Sequence, residues 1–337
     1  MPDRGDIYTL SPQVNISRST TTRMWIVFSC ALLAILQSAF GDNGRSLLVA
    51  FASLAAALLA EFFVTGKTYG FNKLKDGSAA ASALVLTLLL PNTINPLYAA
   101  MGGAFAMIVV KYSFGGLGSN WLNPALGGWL FIRFSWPVTF TRALAGSQEY
   151  FSGPGSAADQ WLGGFLNRSV FPVFSAVLPS GYIDLFSSNL PGIIADRAGL
   201  ALILGISLIT AFQISRTWLS VLYLAVFGVL VRMLGDLPLG NWWNGDVILG
   251  LLSGGTLVTA FILIADPSTR AKSRWGNALL VFAAAVLGVI FRYLGAVSYG
   301  CFIAVALVNS LVALLSKAER MLLYAANEGG VSRGGHG

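Results

Sequence analysis

The sequence predicts an all-α polytopic membrane protein with about ten transmembrane segments, arranged as two inverted five-helix repeats with short or broken central helices. Three observations lead there. Hydrophobic residues occupy 55% of the 337 positions and charged residues only 10%, with a mean hydropathy of +0.72, which lies far outside the range of soluble domains. The apolar runs fall into two sets of five around a long, more polar stretch, and an odd number of crossings per set inverts the second set relative to the first. The third run of each set, DGSAAASALVLTLLLPNTINP and GDVILGLLSGGTLVTAFILIADPST, is rich in small residues and closed by proline, as interrupted helices at corresponding repeat positions are.

Residues 1–23 are polar, carry Arg4, Arg18 and Arg23, and form a cytoplasmic N-terminal segment. The long polar lead and the prompt second span (47–65) favour an uncleaved first helix at 24–40 over a signal peptide. A basic connection with Lys67, Lys73 and Lys75 leads into the run 78–90, which Pro91 stops. At ~1.5 Å per residue that run covers only about two thirds of a hydrocarbon core near 30 Å thick, so it is short or half-inserted. The run 97–110, ending at Lys111, and the run 124–136 complete the first repeat over residues 24–136. Residues 137–196, full of Gly, Ser, Pro and aromatics, form an extracytoplasmic loop too long for an idle connection. The second repeat, residues 197–316, passes through 199–212, 218–234, 247–265, 275–294 and 296–315, and residues 317–337 are a cytoplasmic tail.

Orientation follows from charge. With the N-terminus inside, most of the 21 Lys and Arg fall on the inner side, which makes both termini cytoplasmic. The same topology accounts for the net charge of +7, because the basic residues sit at segment ends and form no stripe for nucleic acid. Cys30 and Cys301 lie inside apolar runs and read as small buried hydrophobes, too few for a disulfide framework or a four-ligand metal site. His336 sits in a Gly-rich tail, where disorder is expected rather than ligation. There is no nucleophile triad, phosphate loop or metal-ligand cluster, which argues against a hydrolase and leaves no catalytic residue to name.

The stretch 111–136, KYSFGGLGSNWLNPALGGWLFIRFSW, breaks the membrane pattern. Gly115, Gly116 and Gly118, the amides Asn120 and Asn123, and Pro124 at a first helical turn describe a broken or re-entrant helix start. Such backbone is tolerated at membrane depth only where it is buried in protein or lines a cavity. The stretch is therefore either a binding site or a tight cytoplasmic turn. Asn120 and Asn123, three apart, are expected on one side of the helix start, and Phe114, Trp121, Trp129 and Phe131 either stack on a ligand or pack. Four ionisable groups fall within spans. Arg133, Arg232 and Arg292 read as snorkelling to the interface, and Glu61 reads equally as functional or structural. Asp266, in ADPST, either caps the turn at Pro267 and Ser268 or accepts a hydrogen bond from a ligand.

The succession of DGSAAASALVLTLLLP, KYSFGGLGSNWLNPAL and LLSGGTLVTAFILIADPST resembles the family that holds the D subunit of the Rnf complex and the B subunit of the sodium-translocating NADH:quinone reductase. The pattern FGGLGxNxxNPA carries most of the specificity. The resemblance implies one component of a multi-subunit translocase in the bacterial cytoplasmic membrane, moving electrons between ferredoxin or NADH and an acceptor while driving Na⁺ or H⁺. Other subunits of the complex would be its partners, and no complete active site would lie in this chain alone. It also implies flavin: a covalently attached FMN near the outer face and a non-covalent riboflavin or FMN among the helices. The family asparagines fall on Asn120 and Asn123, beside Gly115 and Gly116, and the later aspartate falls on Asp266. One departure matters. The family joins FMN to a threonine in a motif like SGATP in the long loop, and this chain has no threonine between Thr141 and Thr210. Ser169 in SVFP and Ser175 in SAVLP are the nearest remnants and lack the motif, so the covalent flavin loses its acceptor while the buried site keeps its residues. Two other readings fit the plan: a channel or transporter for a small solute, and a flavin-poor scaffold subunit.

Overall fold

A computed structural model describes residues 19–69, 74–113, 115–116, 120–140, 155–174, 177–187, 190, 192–212, 216–234, 245–271, 273–294 and 300–331. Among these the chain is helical, and the strand-like pairing seen is an isolated bridge between Pro91 and Ile193. Among the described residues, four helices are long and apolar enough to cross a bilayer: α1 (Thr20–Gly41), α2 (Arg45–Tyr69), α8 (Thr217–Leu234) and α11 (Arg274–Leu294). The shorter apolar helices are α3 (Ser78–Leu89), α4 (Pro96–Phe105, continued as π turns over Ala106–Tyr112), α7 (Gly199–Ala211) and the first part of α12 (Gly300–Val331). Large apolar side chains such as Phe51, Phe63, Leu204, Val221 and Leu314 face outward, as they do where lipid replaces water as solvent. The chain is a multi-pass membrane protein.

Helix ends follow local chemistry. Ser19 caps α1 by accepting from Thr22 N, Asn95 caps α4 ahead of Pro96, and Asn123 caps α5 (Pro124–Ser135) ahead of Pro124. The short α3 starts after Gly77, which holds a left-handed φ of 72°, and stops at Pro91. Every residue of α3 except Ser82 is buried, because a twelve-residue Ala/Leu helix has no polar face and is too short to reach both interfaces. It is surrounded by α1, α2 and α5, and its last carbonyl, Leu90 O, accepts Ile194 N at 2.9 Å.

The span expected at 247–265 is broken. α9 (Val247–Leu252) begins at the Asp246 cap and ends at Ser253; α10 (Thr256–Val258, continued as π turns over Thr259–Leu263) begins after Gly255. Gly254 and Gly255 have φ of 65° and 68°, and a Cβ on Gly255 would lie 2.3 Å from the Phe302 ring, so this kink needs glycine for both conformation and space. The starts of α3 and α10 thus match, each a left-handed glycine followed by a hydroxyl residue (Ser78, Thr256), and each helix is closed by a proline (Pro91, Pro267).

Three expectations change. The last helix does not stop near residue 315 but continues through Val331 into the stretch read as a tail. The long connection is partly ordered: α6 (Ala157–Ser169) lies against short 3-10 turns, with buried Asp159 accepting Gly181 N and Ile183 N, and buried Asp184 accepting Ser156 N. Lys111, grouped by sequence with the surface charges that set orientation, is fully buried. Cys30 and Cys301 are buried free thiols, as expected, while His336 lies outside the described residues.

Candidate functional site

The described residues of the glycine-asparagine stretch form turns ahead of Pro124. Gly115 and Gly116 take φ of 103° and 92°, and their N–H groups fold back onto Tyr112 O (3.3 Å) and Lys111 O (3.0 Å) at the end of the π turns. Residues 114 and 117–119 lie outside the described residues. Asn120 is 5% exposed and turns its amide nitrogen onto the carbonyls of Lys111 (3.3 Å) and Gly116 (3.1 Å). Asn123 does not share a helix face with it. Its Oδ1 caps α5 by accepting Ala125 N (3.0 Å) and Leu126 N (3.4 Å), and its Nδ2 donates to Asp266 Oδ2 at 2.6 Å. The amides thus differ in role: the helix cap fixes Asn123, and Asn123 in turn fixes Asp266, 143 residues away. This bond ties the start of α5 to the end of α10.

These residues meet at a cavity of about 320 Å³. Asn120, Asn123 and Asp266 line it, with Ala81, Ser82 and Val85 of α3, Thr20, Arg23, Met24 and Val27 of α1, and Phe261 and Ile262 of α10. Of the five sequence candidates, the structure brings Asn120, Asn123 and Asp266 into one wall and leaves Gly115 and Gly116 in the turn behind it. The aromatics pack. Trp129 is buried edge-on against Phe302 (5.3 Å) and Phe140 (5.9 Å), and Phe131 stacks on Phe105 at 4.4 Å. Ser169 is exposed at the end of α6, away from the cavity wall, and Ser175 lies outside the described residues.

Two buried charge clusters hold the helix starts on either side. Lys111 also belongs to the cavity wall, and its Nζ donates to Glu61 Oε1 (2.5 Å) and Ser78 Oγ (2.6 Å). Glu61 Oε1 takes Tyr112 OH as well (2.5 Å), and Asp76 Oδ1 accepts both Ser78 N (2.8 Å) and Ser78 Oγ (2.6 Å). Glu61 Oε2 is buried without a partner. The second cluster overturns the snorkelling reading of Arg292. Its guanidinium is buried in the break between α9 and α10, donating to Gly250 O (2.6 Å), Ser253 O (3.0 Å), Ser253 Oγ (2.6 Å) and Thr256 Oγ1 (2.9 Å). Asp196 Oδ1 accepts Gly255 N at 3.0 Å on the other side of the same break. Asp196 sits in the connection before α7, outside the spanning helices, and burial pushes its carboxyl up to about 6 against the pull of backbone N–H groups and Arg292. Arg232 does lie exposed near a helix end, donating to Gly245 O at 3.3 Å.

Sequence reading missed Lys111, Asp196 and Arg23 as parts of this arrangement. The available signal was Glu61, since a carboxylate in a span needs a cation and Lys111 is the basic residue that ends the neighbouring apolar run. Chemically, the cavity offers apolar walls with an amide and carboxylate edge, and such a few fixed polar groups in an apolar pocket orient a planar heteroaromatic ligand.

A model of the NQR2, RnfD, RnfE family matches residues 7–323. The chain is 26% identical over 318 residues to the D subunit of the proton-translocating ferredoxin:NAD(+) oxidoreductase complex of Clostridium ljungdahlii, covering 93% of this chain and 94% of that one. It is 29% identical over 249 residues to the D subunit of the ion-translocating oxidoreductase complex of Pseudomonas paraeruginosa, covering 70% and 71% of the two chains. It is 23% identical over 321 residues to the D subunit of the Na(+)-translocating ferredoxin:NAD(+) oxidoreductase complex of Acetobacterium woodii, covering 94% and 95%. The family match takes in the capped turn, both charge clusters and the cavity between them, and the chain belongs to the NQR2, RnfD, RnfE family.

Proposed function

We propose that this chain is the membrane subunit of an ion-translocating electron-transfer complex, with the other subunits of that complex as its partners, and that the cavity at Asn120, Asn123 and Asp266 holds a non-covalent flavin. The observation that carries the reading is the Asn123–Asp266 bond, because it brings the two motifs singled out by sequence into one wall of one cavity. The cavity fits such a group: its volume of about 320 Å³ lies within the range of ligand pockets, and its walls join apolar side chains to a few fixed polar groups. Bound there, a flavin would accept and pass on electrons. Val27, Val85, Phe261 and Ile262 would exclude water from it, Asn120 and Asp266 would orient its polar edge, and Asn123 would hold Asp266 in place.

The finer architecture belongs to the same proposal. Matching starts and proline stops of α3 and α10 support two inverted repeats of five segments, with both termini on the cytoplasmic side of a bacterial inner membrane. Relatives are named for protons and for Na⁺, and this chain's coupling ion is one of the two. The solute-channel reading is weaker, because the broken helix that would offer bare carbonyls to a permeating ion already has them satisfied by Arg292.

The test is flavin content. Purified protein should show flavin absorbance, and acid denaturation should release all of it, since the long loop has no threonine to hold an ester. Asp266→Leu should lower bound flavin about 5- to 150-fold per folded protein, as loss of a charged hydrogen-bond partner does. A flavin-free protein that carries solute flux in liposomes would refute the proposal.

A further inference from the structure

Lys111 joins the cavity to a buried carboxylate. Of the ionisable residues that line the cavity among those described, Arg23 and Asp266 are partly exposed and Lys111 is fully buried. Its Nζ donates to Glu61 Oε1 at 2.5 Å and to Ser78 Oγ at 2.6 Å, and neither Glu61 nor Ser78 belongs to the lining. The cation therefore borders the cavity, and the carboxylate lies behind it. A buried ion pair is weak evidence for stability, since apolar residues of the same volume often do as well. This one also leaves Glu61 Oε2 buried without a hydrogen bond, which a pair kept for stability alone would satisfy. Its largest effect is electrostatic: two fixed charges, 1% and 0% exposed, act at the wall of an apolar cavity with no water to screen them.

We propose that Lys111 and Glu61 set the reduction potential of the group held in this cavity, Lys111 favouring the form that carries the added electron and Glu61 limiting how far it does so. The proposal rests on the flavin reading above. The step concerned is the gain of one electron by the flavin from another subunit of the complex, and no bond in this chain forms or breaks in it. A fixed charge beside a flavin is one of the ways a protein tunes its electronics. Ser78 and Tyr112 are positioning residues. Ser78 Oγ accepts from Lys111 and donates to Asp76 Oδ1 at 2.6 Å, while Tyr112 OH donates to Glu61 Oε1 at 2.5 Å. The two charges are thus held in one geometry before the electron arrives and need little reorganisation when it does.

The purified full chain in nanodiscs is titrated spectroelectrochemically, and the midpoint potential of its flavin is compared between wild type and variants. Glu61→Gln is isosteric and keeps an oxygen for Lys111 and Tyr112, so it keeps the proposal testable even where changes at Lys111 impair folding. By unmasking the cation it should raise affinity for the reduced over the oxidised flavin at least about tenfold, a rise of about 59 mV for a one-electron couple. The double variant Lys111→Met, Glu61→Gln removes the cation as well and should fall below wild type. Lys111→Arg, which keeps the charge, should stay near wild type. A purely structural role moves stability or flavin content and does not shift the potential in opposite directions. Equal potentials throughout, or a Glu61→Gln potential at or below that of wild type, overturn the proposal and leave the flavin reading standing. Loss of flavin from Glu61→Gln while wild type stays loaded also overturns it, because the pair then shapes the pocket. Wild type without flavin overturns the flavin reading itself, and this proposal with it.

Discussion

Replacing Lys111 with Met tests whether the cluster behind the cavity is a structural keystone. The Lys111 ammonium and the Glu61 carboxylate are 1% and 0% exposed, so neither has water to fall back on. The variant loses two charge-assisted hydrogen bonds, to Glu61 Oε1 at 2.5 Å and Ser78 Oγ at 2.6 Å. At about 1.5–3 kcal/mol each these sum to about 3–6 kcal/mol, which overlaps the roughly 3–5 kcal/mol typical of stranding one member of a buried ion pair. At roughly 2 °C per kcal/mol for a chain of this size, the thermal transition should fall by about 6–10 °C. The double variant Lys111→Met, Glu61→Gln removes both charges, leaves Tyr112 an acceptor oxygen and leaves Ser78 its bond to Asp76, so it should recover at least about half of that loss. The assay is tryptophan fluorescence of the detergent-solubilised protein, heated at one fixed scan rate because such proteins unfold irreversibly. A shift under about 2 °C for Lys111→Met, or a double variant as damaged as the sum of the singles, would refute the reasoning.

Two further outcomes follow from the second cluster. Arg292→Lys supplies a point charge where four bonds spread over two guanidinium nitrogens, so it should destabilise less than Arg292→Met but clearly more than a conservative exchange elsewhere, read by the same thermal assay. Asp196, with its carboxyl pushed up to about 6 in the folded chain, keeps a proton that the unfolded chain loses near pH 4. The native state therefore binds more protons in that window, and stability falls as pH rises from about 4 to about 6, by about 3 kcal/mol in all, then levels off. Asp196→Asn should flatten that slope, and a thermal series from pH 4 to 7 that is unchanged by the substitution would contradict it.

Much of the helical plan is legible in the sequence because apolar runs, prolines and capping residues are local signals. Pro96, Pro124 and the Ser78 start each fall where the chain itself dictates. The broken segment at Ser253–Gly255 is half legible: two adjacent glycines permit a kink, but only the Phe302 ring and Arg292 require it. What sequence does not carry is long-range pairing. Asn123 and Asp266 are each visible as polar punctuation, yet their mutual bond spans 143 residues and depends on how α5 and α10 meet. Lys111 misleads for the same reason. A lysine that ends an apolar run looks like an interfacial anchor until α2 brings Glu61 to it. Arg292 likewise looks like a snorkelling arginine until the packing of α11 carries it into the break.

The opposed placement of α3 and α10 has an electrical consequence. The first turn of α3 lies by the cavity, where the chain leaving α10 reaches Asp266, and the end of α3 meets the Ile193–Ile194 segment that touches the start of α10 at Gly255. Each helix end carries a partial charge, positive at the start and negative at the finish. Opposed helices therefore offer the cavity one end of each sign, and the fixed charges nearest the two breaks are Lys111 with Glu61 at one and Arg292 with Asp196 at the other.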